Sequence, residues 1–338
     1  MRHALPAVLL ILAGAASCES PGNAHRQDRV LIVSDRGGAF RIYEVDLGDG
    51  AARLIGTEDA SDRSYQDSMP ARLPDGRIVF VSDRGGRPSI YLAGPAGRDH
   101  RRLTGGPADA ADASDSAPAP LGADRIIFAR SETGTSAKAR RDLCMMRLDG
   151  TEIRRLTRGP ADHSAPAGSG DGRSAVFVSN RSGAPHLELM PDVDAADPEA
   201  SLVDLSRAAP IPPGSASAGR PFADGAPIVL PDRSIVFSRT PKGDVPHLFH
   251  LGIVAGAPPA LRQITDSGTL PYGADEPVAL GDDAVLLVTG GPAPPSAGRQ
   301  RPARYAVYRI ALGGFNLSRV TREQARYDDF TRRLPPDR

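Results

Sequence analysis

Acidic side chains recur in this chain at one place in a repeating unit: Asp67, Asp115, Asp224, Asp275 and Asp329, with the pair Asp162-His163 standing between the second and third. Carboxylates repeated around a ring could hold a cation, or a partner that presents Lys or Arg. Each Asp could equally accept backbone amides of its own loop. An aromatic precedes the acid by two residues at Tyr65, Phe222 and Tyr327, and Tyr272 precedes Asp275 by three. Apolar anchors beside charges suit a protein interface; packing between neighbouring repeats explains them as well. Basic side chains gather at Lys138, Arg140 and Arg141 and again at Arg299, Arg301 and Arg304. They read as solvated loop tips, or as a patch for anionic polymers or lipid headgroups. Asp192, Asp194, Asp197 and Glu199 lack the glycine and glutamate spacing of a calcium loop and read as a solvated loop.

Patterns that carry catalysis are not found. There is no Gly-x-Ser-x-Gly elbow, no P-loop and no dinucleotide glycine fingerprint. Of the His residues only His247 and His250 are close, and on a strand that spacing sends them to opposite faces, a poor zinc pair. A lyase-type site built from scattered His and Arg with a metal would leave no local motif, and His163 with Asp162 would be its first candidates.

Composition narrows the field further. Lys+Arg and Asp+Glu are 41 each, so the formal net charge is zero. Nucleic acid is not an expected partner, because phosphate binding wants a basic excess. Aromatics are 5% and Trp is absent, which weakens sugar and single-strand stacking sites. Gly 36 and Pro 32 together demand many turns without reaching a disordered composition. The chain opens with Met1-Arg2-His3 and the apolar run Ala4 to Ala13, too short to cross a bilayer and suited to an export signal. Ala15-Ala16-Ser17-Cys18 resembles a bacterial lipobox, with Ala15 where Leu is usual, and implies acylation of Cys18. Ordinary cleavage after Ala13-Gly14-Ala15 is the alternative. Residues 1–17 are thus expected to be a signal, 18–28 a tether, and Cys144 a small core residue.

A repeat organises residues 29–338. Arg29-Val30-Leu31-Ile32-Val33-Ser34-Asp35-Arg36-Gly37-Gly38 returns as Arg77-Ile78-Val79-Phe80-Val81-Ser82-Asp83-Arg84-Gly85-Gly86, and weaker copies follow. Their anchors Ile32, Phe80, Phe128, Phe177, Phe237 and Leu287 lie 48, 48, 49, 60 and 50 residues apart. Each copy holds a β-branched strand, a polar Gly-bearing turn, a second strand, a short Leu-Thr strand and an Asp-x-x-Pro segment. Four strands per unit and six units predict an all-β, six-bladed propeller. Asp329–Arg338 aligns with Asp67–Gly76, which predicts that the C-terminus supplies the innermost strand of the first blade. The Ser-Asp-Arg turns and the acids would then share one face, called the top, with most of the long loops. The loop Pro191–Ala200 is expected at the bottom.

Ser-Asp-Arg-x-Gly, the pairs Ile42-Tyr43, Ile90-Tyr91 and Val307-Tyr308, Arg-Arg-Leu-Thr and Pro-Asp-Gly resemble the TolB-like six-bladed propeller repeat. The family's α/β domain has no room in the ten residues between Cys18 and the first strand, so the resemblance implies the propeller alone. It implies a non-catalytic binding or scaffolding module of the bacterial envelope, expected to be monomeric and to need no cofactor. Glu19 after Cys18, where Asp would mark inner-membrane retention, favours the outer membrane, facing the periplasm, with a soluble periplasmic or secreted protein as the alternative. The partner would be an envelope protein or polymer met at the top face. A cation at the channel mouth, and a propeller enzyme of lyase or hydrolase type acting on an extracellular polymer, are the alternatives.

Overall fold

The computed structural model describes residues 29–55, 62–106, 113–131, 140–253, 259–268, 270–271, 273–280, 284–290, 305–313, 317–320 and 328–329. Cys18, Lys138, Tyr272, Arg299, Arg301, Arg304 and Tyr327 lie outside the described residues, and of Asp328 and Asp329 only the backbone is described.

Blade one contains β1 (Arg29–Ser34), β2 (Arg41–Asp46) and β3 (Ala52–Ile55). Blade two contains β4 (Asp67–Arg72), β5 (Ile78–Ser82), β6 (Ser89–Ala93) and β7 (Arg101–Arg102). Blade three follows with β8 (Ser114–Leu121), β9 (Arg125–Ser131), β10 (Arg141–Arg147) and β11 (Arg154–Arg155), and blade four with β12 (His163–Gly168), β13 (Ala175–Ser179), β14 (His186–Met190) and β15 (Val203–Asp204). Blade five has β16 (Phe222–Val229), β17 (Ile235–Pro241), β18 (His247–Gly252) and β19 (Ala260–Gln263). Blade six has β20 (Asp275–Leu280), β21 (Ala284–Gly290), β22 (Tyr305–Ala311) and β23 (Ser318–Arg319), and β24 (Asp328–Asp329) ends the described chain. Every neighbouring pair in a blade is antiparallel, in chain order from the inner strand outward.

The two middle strands of a blade are buried on both faces, which is why Ile78–Ser82 reads as a continuous apolar run rather than an alternating one. Alternation instead decides which neighbour each side chain meets. Val79, Ile90 and Leu92 pack with Phe128 and Met146 of blade three, while Ile78, Phe80 and Tyr91 pack with Leu31 and Ile42 of blade one. The same sharing joins blades six and one, where Leu286 and Val307 meet Ile32 and Val45. Outer strands of two residues in four blades leave little edge for another sheet to extend.

Each Asp-x-x-Pro segment is a β-bulge. Met69, Ala117, Ala165, Ala226 and Glu276 all take positive φ (44 to 52°), each just before a proline, and the ladder skips at that point. Proline has no N–H to give, so the skip falls where a ladder bond is already lost. The bulge fixes the register of what precedes it. In blade two Asp67 pairs with Ser82 and Ser68 with Val81. In blade six Asp275 pairs with Val288, the place of Ser68 and not of Asp67. Asp275-Glu276-Pro277 is one residue shorter than Asp67-Ser68-Met69-Pro70, so Ala274 takes the place expected of Asp275.

The ring closes through the C-terminus. β24 adds to β1 as the innermost strand of blade one, with Ser34 opposite Asp328 and Val33 opposite Asp329. Ser34 is the counterpart of Ser82, so Asp328, rather than the expected Asp329, takes the place of Asp67. Deleting residues 328–338 should leave β1 as an open inner edge. We expect a loss of about 3 kcal/mol, read as a fall in Tm of roughly 5–10 °C, together with concentration-dependent association in sedimentation.

Candidate functional site

The top face is built from a slot repeated at the head of each inner strand. Its occupants are Asp67, Asp115, His163, Asp224 and Ala274 in blades two to six. All are buried, and the four polar ones are at most 4% exposed. The slot amide bonds back to the preceding blade: Asp67 N–H donates to the Phe40 carbonyl (3.1 Å), Asp115 to Pro88 (3.0 Å), Asp224 to Pro185 (2.8 Å) and Ala274 to Pro246 (2.8 Å). Side chains of the Ser-Asp-Arg turns complete the seat. Asp83 Oδ1 accepts the Gln66 amide (2.6 Å) and Asn180 Oδ1 the Asp162 amide (2.8 Å), while Gly38, Gly86 and Gly183 take the positive φ of the hairpin.

A carboxylate so enclosed needs a cation, and each finds an arginine of its own blade. Arg130 and Arg239 stand directly across the ladder from Asp115 and Asp224, and each grips its partner with two hydrogen bonds (2.7 and 2.9 Å; 2.6 and 3.0 Å). In blade two that ladder position is Ser82, and Arg84 of the turn reaches Asp67 instead (2.7 Å). The guanidinium groups lie on aromatic rings. Arg239 is 3.7 Å from the Phe222 ring centre, and Tyr65 is sandwiched between Arg41 at 4.0 Å and Arg84 at 4.6 Å. Burial pushes the Asp67 pKa up over the opposing pull of Arg84, the Ser82 hydroxyl and Arg41.

Asp67, Asp115, Asp224 and His163 were expected at an exposed mouth, with the alternative that the acids cap their own loops. The three acids and His163 are buried, and the acids pair with arginines, whereas at Asp275 the alternative is seen, its Oδ1 accepting the Glu276 amide (2.9 Å). Tyr65 and Phe222 remain half-buried and serve as rings beneath guanidinium groups. Asp275 and Glu276 are half-buried on the inner strand of blade six.

No family profile and no curated sequence matches the chain. Among solved structures, TolB from Acinetobacter baumannii superposes with a TM-score of 0.62 at 16% identity, over 90% of this chain and 65% of that one. A protein assigned as TolB from Agrobacterium tumefaciens gives 0.52 at 16%, over 89% and 88%. An oligogalacturonate lyase in complex with manganese gives 0.53 at 13%, over 88% and 74%. The fold is that of the TolB-type six-bladed propeller. This chain spans about 65% of the length of the Acinetobacter TolB. The shared propeller is common to TolB and to a lyase, so the fold does not choose between a binder and an enzyme.

The motifs of the TolB-type repeat have structural work in this chain. In Arg-Arg-Leu-Thr the Thr hydroxyl accepts the third-strand amide: Thr104 from Ile90, Thr157 from Leu143, Thr265 from Leu248, each at 2.9 Å. The Leu packs in the seam between blades. The first Arg stitches to the next blade: Arg101 donates to the Asp149 and Leu148 carbonyls, Arg154 to Ala195 and Arg262 to Leu312.

Blade four breaks the pattern. Its slot holds His163, and its turn arginine, Arg181, grips Glu188 instead with bonds of 2.6 and 2.9 Å. Glu188 occupies the third-strand position that is Tyr91 in blade two. Internal alignment of the repeats carried this signal: slot Asp goes with Arg at position 84, 130 or 239, and the slot His goes with an acid at 188. Burial pushes the Glu188 pKa up even with Arg181 attached. At Asp162 burial also works upward, but Arg141 outweighs it and holds the carboxyl below its usual range. His163 and Asp162 are therefore a buried imidazole and a clamped carboxylate, not an acid–base couple facing solvent.

Among the described residues two Ser–His contacts occur, and neither is a relay. Ser182 Oγ and Asp204 both approach Nδ1 of His186 (3.0 and 3.9 Å), and Ser234 donates its proton to Asp232 (2.6 Å) while facing His250 Nε2 (2.8 Å). An open recess of about 540 Å3 lies at the bottom of blades three and four, lined by Met145, Ile153 and arginines already paired, Arg125 with Asp194 and Arg147 with Asp124. Cys144 is buried and its thiol is pushed up to about 12, which makes it inert.

Replacing Arg239 with Met should leave the Asp224 carboxylate buried and unpaired. We expect a loss of about 3–5 kcal/mol in urea unfolding, and recovery of most of it when Asp224→Leu is added.

Proposed function

We propose that this chain is an exported, envelope-located binding module that takes its partner at the top mouth of the propeller, on the side formed by blades six and one. One observation carries the reading. The polar residues that recur around the ring are used up in holding blades together, so what distinguishes one side of the mouth lies where the repeat is irregular. Asp275 and Glu276 stand on the inner strand β20, and Asp329, one residue past the slot that Asp328 takes, on the neighbouring inner strand β24. Three acids on adjacent innermost strands favour a partner segment rich in Lys or Arg, met with rapid, salt-sensitive association.

Recognition without chemistry is favoured by the state of the candidate groups: the slot carboxylates are neutralised, and the serines nearest to histidines are not activated. Export is supported by the residues before the first strand, whose short apolar run and Ala-Ala-Ser-Cys sequence suit lipid attachment at Cys18.

The test is affinity capture from solubilised cell envelope with the wild type and with Asp275→Asn, Glu276→Gln. The neutralised variant should keep its Tm and lose the captured partner at least tenfold, and raising salt from 50 to 300 mM should do the same to the wild type; equal capture by both would overturn the acidic-side reading. For the anchor, Cys18→Ser should move the protein from the membrane fraction to the soluble periplasmic fraction. A wild type found wholly soluble would point to ordinary cleavage.

A further inference from the structure

His163 has no exposed surface, and neither ring nitrogen has a hydrogen-bond partner. Phe177 meets the ring edge-on at 5.5 Å. Four charged groups act on it: Glu199, Asp142 from β10 of blade three, Asp162 from the segment entering β12, and Arg181 from the turn after β13. β8, β9 and β16 also pack against β12, and the charged groups at their heads are paired, Asp115 with Arg130 and Asp224 with Arg239. Three of the four are committed elsewhere. Asp142 holds Arg140 and Arg155, Asp162 holds Arg141, and Arg181 holds Glu188. Glu199 has one oxygen on the Arg158 amide (2.8 Å), and its other oxygen stands 3.9 Å from Nε2 of His163, beyond hydrogen-bond reach.

Glu199 belongs to the loop expected at the bottom face, and its position departs from that expectation. Val193 anchors the loop, its N–H donating a hydrogen bond to the Arg173 carbonyl (2.8 Å). From there residues 194–201 cross onto blade three. Asp194 pairs with Arg125 (2.6 Å), the Ala195 carbonyl accepts Arg154, and the short 3-10 turn Pro198–Ser201 brings Glu199 against Arg158 and His163. These tethers are polar and largely exposed, and the segment's buried residue is Pro198. It is a strap over the seam between blades three and four, held by weak contacts.

We propose that residues 194–201 form an acid-released strap and that His163 is its sensor. A neutral imidazole leaves one donor and one acceptor unpaired in the closed slot. A protonated one would leave two donors and a buried charge, a far costlier state that water access relieves. Burial already pushes the His163 pKa down, over the upward pull of Glu199, Asp142 and Asp162. The sign follows: with the strap lifted, the ring regains an ordinary pKa near ~6.5 and binds its proton first, so falling pH favours the lifted state. A change in acidity would thereby expose the seam between blades three and four while the ring stays closed.

Hydrogen exchange at pH 7.5 and 5.0, corrected for intrinsic rates, tests this. The amides of 194–201 should open more at pH 5.0 in the wild type, by a factor of at most about 30, with β13 and β14 unchanged. His163→Gln should abolish the rise, and His250→Gln, which alters a different partly buried histidine, should leave it. A rise that survives in His163→Gln, no rise in the wild type, or a rise shared by all of blade four would overturn the proposal. Should His163→Gln fail to fold, Glu199→Ala decides by NMR titration of the His163 ring. Losing a nearby negative charge would by itself lower the imidazole pKa, whereas a lifted strap raises it toward ~6.5. A fall sinks the proposal.

Discussion

The interaction on which the structure depends is the neutralisation of a buried acid at the head of the inner strand by a guanidinium of the same blade. The slot is desolvated because three elements converge there: the inner strand, the turn of its own blade, and the hairpin of the blade before it. A carboxylate left alone in such a place would cost several kcal/mol, and a pair with its remaining valences filled recovers most of that. Arg130 and Arg239 pair with their acids across the ladder through two bonds each, and Arg84 pairs with Asp67 from the turn, although one nitrogen of Arg239 and Oδ2 of Asp67 are buried without a partner. Such a pair adds little net stability. It adds specificity, because a blade slipped by one residue would bury the acid without its arginine.

Each blade is therefore fixed twice. Apolar side chains in the seams supply the driving force, at about 1.5–3 kcal/mol for a buried Phe or Leu, but contacts of that kind tolerate sliding. The polar stitches do not. The slot amide on the previous hairpin, the Thr hydroxyl on the third-strand amide and the first Arg of Arg-Arg-Leu-Thr on the next blade's turn each demand one alignment. Glu44 shows the same logic at the seam of blades one and two. Burial works upward on its carboxyl, but Arg53, Arg72 and Arg29 together hold it below its usual range.

Blade number, strand order and closure by the C-terminus were legible in the sequence because β-branched runs, Gly-bearing turns and Asp-x-x-Pro recur at nearly fixed spacing. The role of the acids was not. Repetition of Asp67, Asp115 and Asp224 suggested a ring open to ligands, when the same repetition is what a stitch used once per blade would produce. Register at Asp275 and Asp329 was misread by one residue for a related reason: matching acid to acid ignores the bulge, whose proline sets the count. Glu199 was read as a solvated bottom loop because nothing in the local sequence tells which way a long loop folds over a neighbour.

The consequence for function is that irregularity, and not recurrence, marks where this propeller differs from its own blades. Three departures stand out. Ala274 leaves a slot without an acid, His163 fills one without a cation, and Glu188 draws Arg181 away to a position that is Tyr91 in blade two. Swapping Asp for His while moving an acid onto the third strand preserves charge within blade four, since Arg181 finds Glu188 in place of a slot acid, but it leaves both ring nitrogens of His163 without a partner. What it changes is the chemistry of one slot: a carboxylate gripped by arginine gives way to an imidazole whose pKa burial pushes down. Blades six and one depart in the opposite sense, by placing acids one residue beyond the slot, on the strands that border the channel. A scaffold whose repeats are locked by buried pairs can carry such local exceptions without losing its shape, which is what lets one ring architecture host unrelated activities.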